Sequence, residues 1–129
     1  MEYDPPGDWL ERFLFYREKS EPIVPVSTDV YERTVEALER DVVATLGEVH
    51  RHTVRDHAAI VRTFADASRF GDKLVEDVQQ YFMDTFVDTS WPACPRHPAH
   101  PLWLVEGVWC CDDDEAPLAA LGELSSLRS

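Results

Sequence analysis

Apolar residues recur every three or four positions along much of this chain, and the breaks in that rhythm divide it into segments. Asp8 caps a first expected helix, with Glu11 three residues later in the capping-box position. Trp9, Phe13 and Tyr16 share one face of it, and Leu10 and Leu14 lie beside them. Such an aromatic stripe is more often core than a docking face. The helix should stop before Pro22. Glu21-Pro22-Ile23-Val24-Pro25-Val26 then reads as an extended linker, because proline disfavours helix in the residue before it. Ser27 or Thr28 opens the next helix, with Val26 placed to staple onto Tyr31. Val35, Leu38, Val42, Leu46, Val49, Thr53, His57, Ile60, Phe64 and Ala67 continue the stripe in helical steps. Gly47 interrupts it, so either one long helix tolerates the glycine or two helices meet there. A competing reading makes Glu48 to Arg55 a strand, since Val49, Thr53 and Val54 are β-branched; helix is favoured.

Gly71-Asp72 opens a further helix, whose broad apolar face is Leu74, Val75, Val78, Tyr81, Phe82 and Phe86. The pattern fades at Asp88-Thr89-Ser90, and Pro92, Pro95, Pro98 and Pro101 follow. Trp103-Leu104-Val105 and Val108-Trp109-Cys110-Cys111 flank Glu106-Gly107 as a hairpin with a two-residue turn. Leu118, Leu121 and Leu124 close the fold as a last helical turn or a strand. The expected architecture is mainly α with a small β part (α+β). Residues 1–129 form one domain: a helical body of three or more helices over 1–90, then a knuckle-like hairpin and tail over 91–129.

Composition narrows the function. The 129 residues carry a net charge of −13, which repels phosphate backbones and anionic lipid surfaces. Direct nucleic-acid or membrane binding is therefore not expected; the charge suits a basic protein partner or simply solubilises the chain. The start Met1-Glu2-Tyr3-Asp4-Pro5-Pro6 has neither the basic region nor the apolar core of a signal peptide. No stretch approaches the ~18 apolar residues of a membrane span. A cytoplasmic protein is expected, in which three cysteines serve as thiols or metal ligands rather than disulfides. The run Asp112-Asp113-Asp114-Glu115 reads as a solvated loop before it reads as a cation site.

The chemistry concentrates at Cys94-Pro95-Arg96-His97-Pro98-Ala99-His100-Pro101, followed by Cys110-Cys111. Zinc takes thiolate sulfur and imidazole nitrogen in a tetrahedron, and a C-x2-H step brings two such ligands to one ion. Adjacent strand residues point to opposite faces. A two-residue turn pairs Val105 with Val108, Leu104 with Trp109 and Leu102 with Cys111. Cys111 then shares the face of Leu102, Leu104 and Trp109, and His100 has the same parity. The expected ligands are Cys94, His97, His100 and Cys111, with Cys110 packed in the core beside Trp103, Val105 and Val108. Four ligands leave no open position, and no HExxH supplies a general base, so a structural zinc is expected over a catalytic one. His50 and His57 lie about 10 Å apart on a helix, too far for one ion. His52 and Asp56 are spaced to pair on the helix surface. No serine sits in a nucleophile elbow and no glycine-rich phosphate loop is present.

On Trp91-Pro92-Ala93-Cys94-Pro95-Arg96-His97, His100-Pro101-Leu102 and Val108-Trp109-Cys110-Cys111, about the last third of the chain resembles a group of small uncharacterised proteins of high-GC Gram-positive bacteria. No activity is established for that group, so the resemblance implies no function. Its frequent tryptophan-x-cysteine spacing falls here on Trp109 and Cys111. The reading that follows is a non-enzymatic interaction or adaptor protein with a structural zinc site. The alternatives are a small zinc-dependent hydrolase and an acidic mimic of nucleic acid that blocks a basic DNA-binding protein.

Overall fold

The computed structural model describes residues 23–111 and 116–127. The expected helix from Asp8, its aromatic stripe and the acidic run at 112–115 lie outside the described residues. Among those described, three helices carry a small antiparallel sheet of three strands. This is the mainly helical architecture with a C-terminal β element that the hydrophobic pattern predicts.

The linker 23–27 is extended. Val24 is held in place by both backbone groups: its N–H donates to Asp66 Oδ1 at 2.7 Å, and its C=O accepts from Ala67 N at 2.7 Å. Helix α1 spans Thr28–Leu46, and the hydroxyl of its N-cap Ser27 accepts from Val30 N. Val26 and Tyr31 are both buried in the core, as the staple requires. Gly47 ends α1 at φ 100°, a left-handed conformation that L side chains rarely adopt. A 3-10 turn at Glu48–His50 follows, and then helix α2 at Arg51–Val61. Two helices therefore meet at the glycine, and the strand reading of this segment is excluded.

The break also changes the phase of the apolar stripe. In α1 the stripe buries Val35, Leu38 and Val42 as expected. In α2 the buried residues are Thr53, Val54, Ala58 and Val61, while Val49 and Ile60 face outward. A continuous helix would have kept one face throughout; the turn at Gly47 rotates α2 relative to that register. Arg55 clamps α1 to α2, donating to Glu39 and Glu32. Its partner Glu39 is buried, and Arg51 lies 3.7 Å from the same carboxylate.

Helix α3, Phe70–Asp84, follows a turn capped by Asp66. It buries Phe70, Leu74, Val75, Val78 and Phe82. Phe86, expected on that face, stands beyond the helix at φ 59° and is exposed. Strands β1 (Leu102–Val105) and β2 (Val108–Cys111) form the expected hairpin, with Leu102 opposite Cys111 and Val105 opposite Val108. Glu106 and Gly107 have φ of 50° and 82°, and two positive values mark the turn that matches strand twist. The last leucines form both a strand and a turn: β3 at Pro117–Ala120 pairs with β2, and a 3-10 turn at Leu124–Leu127 follows.

One placement corrects the expectation. The face carrying Leu102, Leu104, Trp109 and Cys111 packs on the helices, with Leu102, Trp109 and Cys111 fully buried. Cys110 lies on the opposite face, half-buried, beside Trp103 at 44% and Val105 at 53% exposure. It is therefore not a core thiol. A three-stranded sheet has one face on the helical body, and the larger apolar set, led by Trp109, takes it.

Candidate metal centre

Three anchors from the helices build the site. Asp41, on the buried side of α1, accepts from Trp109 Nε1 at 2.8 Å, Gly122 N at 2.7 Å and Leu124 N at 2.9 Å. This carboxylate draws β2 and the C-terminal turn onto α1. Thr45, one turn further along α1, accepts from Trp91 Nε1 at 2.8 Å. Gln79 of α3 donates to both Trp91 O (3.1 Å) and Leu102 O (2.8 Å), so one amide spans the two ends of the proline-rich loop. Trp91 stacks edge-on against Phe82 and Trp109, which fills the space beneath that loop.

The loop then folds on itself. After a cis Trp91-Pro92 bond, Leu102 N donates to Pro92 O and Ala93 bridges Pro101. Cys94 N donates to His100 O at 3.0 Å, His97 N to Cys94 O at 3.1 Å and His100 N to His97 O at 2.8 Å. Two tight turns in succession thus present Cys94 and His97 to the end of β2, where Cys111 arrives on the buried face.

The ligand atoms of Cys94, His97 and Cys111 all lie within 4.8 Å of one another, a group that can hold a metal ion. Nδ1 of His97 is 3.7 Å from Cys94 Sγ and 3.5 Å from Cys111 Sγ. Both sulfurs are buried and the imidazole is half-buried. Burial is the largest influence on the Cys94 thiol and opposes its ionisation. The N–H groups of Arg96 and His97, with the His97 and Cys111 side chains, outweigh it together and bring the thiol below its ordinary value. These contacts ease formation of the thiolate, the form that binds metal.

The sequence-expected ligands divide. Cys94, His97 and Cys111 converge. His100 is exposed and stands outside the group of three, with its ring centroid 6.1 Å from that of His97. Of the two adjacent cysteines, Cys111, the one strand parity pointed to, is the one placed beside Cys94 and His97. Cys110 donates weakly to Val108 O on the far face. Two of the other histidines pack within the fold: His50 lies edge-on against Phe82, and His57 Nδ1 meets Asp77 Oδ2 at 2.6 Å. The carboxylate partner of a helix histidine is thus Asp77 across the helix pair, not Asp56 along the helix to His52. Asp41 and Gln79, which position the site, were not singled out from the sequence. The available signal was a polar residue inside an apolar stripe, Asp41 beside Leu38 and Val42, and Gln79 beside Val78 and Phe82.

Among the described residues no helix is long and apolar enough to cross a membrane. No family model, curated protein or solved structure matches this chain.

Proposed function

We propose that the chain is a non-enzymatic interaction protein whose C-terminal third is stapled by a structural zinc ion at Cys94, His97 and Cys111, with His100 as the fourth ligand. The observation that carries this is the pair of sulfur–nitrogen separations, 3.5 and 3.7 Å. With Zn–S of ~2.3 Å and Zn–N of ~2.05 Å, a tetrahedral ion sets sulfur and nitrogen about 3.6 Å apart. Two thiolates and an imidazole are also the donor set that tetrahedral zinc prefers. Two imidazoles bound to one such ion have ring centroids about 5.2 Å apart. The His100 ring centroid is 6.1 Å from that of His97, outside the group of three, so its exposed side chain would have to turn inward to complete the tetrahedron.

The placement favours architecture over catalysis. Both sulfurs are buried beneath the loop. The two cavities that flank Trp91 are lined by none of the three converging residues. The ion would join the proline-rich loop to β2, and through Trp109 and Asp41 to α1.

Metal analysis of protein purified without chelator tests this. About one zinc per chain is expected, falling to near zero in Cys94→Ser and Cys111→Ser. His100→Ala should lower zinc affinity by at least ~10-fold, the loss typical even of residues that merely orient a ligand. Protein that binds no metal would sink the proposal. Undiminished zinc affinity in His100→Ala would instead leave the fourth position open to water and favour the hydrolase reading.

A further inference from the structure

Trp103 is a tryptophan with no place in the core. It projects from β1 on the face turned away from the helices and is 44% exposed. Beside it, between α3 and β1, lies a cavity of about 80 Å³ whose lining includes Glu76, Gln80, Met83, Trp91 and Trp103. Trp91 is buried and forms a floor; Met83, also 44% exposed, and Trp103 stand on the rim. The carboxylate of Glu76 is 62% exposed at the same opening.

We propose that this pocket is a docking site for an arginine side chain carried on a basic segment of a partner protein. An arginine has an apolar stem and a flat, weakly hydrated guanidinium that stacks on aromatic faces and forks onto carboxylates. Trp103 and Met83 supply apolar and aromatic surface, and Glu76 supplies the charge. Further charges of both signs lie nearby. Asp72, on the same helix, is buried enough to raise its carboxyl above the ordinary value; Arg69 opposes the rise, while Glu106 at the hairpin tip and Glu76 add to it. Three carboxylates thus share this end of the molecule.

Glu76 also meets Lys73 at 3.1 Å. A pair of this kind on an exposed helix surface is weak, so it yields to a guanidinium that also stacks on an indole. The net charge of −13 attracts basic segments over long range and repels both nucleic acid and a second copy of this chain. This inference rests on the reading of the chain as an interaction protein, but not on its metal. Zinc binding and peptide binding are measured separately and can fail separately.

The test is calorimetric titration of the full chain as purified, whatever its metal content, with a peptide of about ten alternating arginines and glycines, at about 100 mM salt, where interactions beyond ~10 Å are screened. Binding is expected, with the indole N–H signal of Trp103 shifting in nitrogen–proton correlation spectra. Trp103→Ala should weaken binding about fivefold, the size of an exposed cation–π contact. Trp103→Phe should weaken it less, and Glu76→Gln should weaken it without disturbing the fold. A matched citrulline peptide, neutral but of the same shape, should bind far more weakly. If Trp103→Ala and Glu76→Gln bind as tightly as the parent, the attraction is diffuse and the pocket is overturned. Shifts clustered away from Trp103, or equal binding of the citrulline peptide, overturn it too. If Trp103→Ala does not fold, Glu76→Gln, Trp103→Phe and the shift map of the parent protein decide.

Discussion

Asp41 is the residue on which the most backbone geometry depends. Its two oxygens accept three N–H groups from β2 and the C-terminal turn, two of them buried and that of Gly122 part-buried. Replacing it with alanine leaves the buried Trp109 and Leu124 donors without an acceptor, at about 1–3 kcal/mol each before relaxation, and frees the part-buried Gly122 N–H as well. Asp41→Ala is expected to unfold the sheet from the helices. Asp41→Asn, with one carbonyl oxygen and an amide that opposes a donor, should destabilise by about 1–3 kcal/mol in urea denaturation. The carboxylate also has a pH signature. Burial raises its pKa, against the lowering influence of Leu124, Trp109, Gly122 and Arg40. A raised folded pKa makes the Asp41 contribution most favourable below the ordinary value of 3.8, and that contribution declines as pH rises through the folded pKa. Subtracting the Asp41→Asn stability profile from that of the parent isolates this trend. A difference that grows with pH would contradict it.

The elements were legible wherever a local rule sufficed. Ser27 caps α1 and two-residue pairing sets the hairpin register; each follows from chain geometry within a few residues, whereas the sequence left open whether the helix ends at Gly47 or runs through it. The turn Glu106-Gly107 holds both residues at positive φ, and Asn tolerates that region better than Glu. Glu106→Asn is therefore expected to stabilise the hairpin by up to about 1 kcal/mol, read as a higher midpoint in urea denaturation. No gain would mean that the hairpin is held by Trp109 and its partners rather than by its turn. The phase of α2 was not legible. The 3-10 turn after Gly47 sets how far the helix axis rotates, and only packing against α3 decides which of Val54 or Ile60 faces in.

At the scale of the molecule, the helical body and the C-terminal third share one core, and the proposed ion would add a further tie within the C-terminal third. Val35, Leu38, Val54, Val61, Leu74 and Phe82 are buried in the core among the helices. The proposed ion joins the 94–97 loop to the end of β2. Removing zinc with a chelator should leave most of the far-ultraviolet helical signal intact. It should lower the thermal midpoint, abolish protection of amides around Cys94, His97 and Cys111 in hydrogen exchange, and alter the near-ultraviolet signal of Trp91 and Trp109. Loss of the helices on chelation would show instead that the metal nucleates the whole fold.

The amino-acid order determined the helices, the hairpin, its register and three residues that converge on the centre. These depend on spacings of one to four residues and on strand alternation, which any chain of this pattern obeys. Tertiary structure decided what local rules do not reach. It set which face of the sheet turns inward, moving Cys110 out of the core, and it gave Asp41 and Gln79 their roles across 68 and 23 residues of chain. It also left Trp103 on the outer face. A single helical body covers one side of a three-stranded sheet, and the better-packed set of side chains, with Trp109 hydrogen-bonded to Asp41, claims that side.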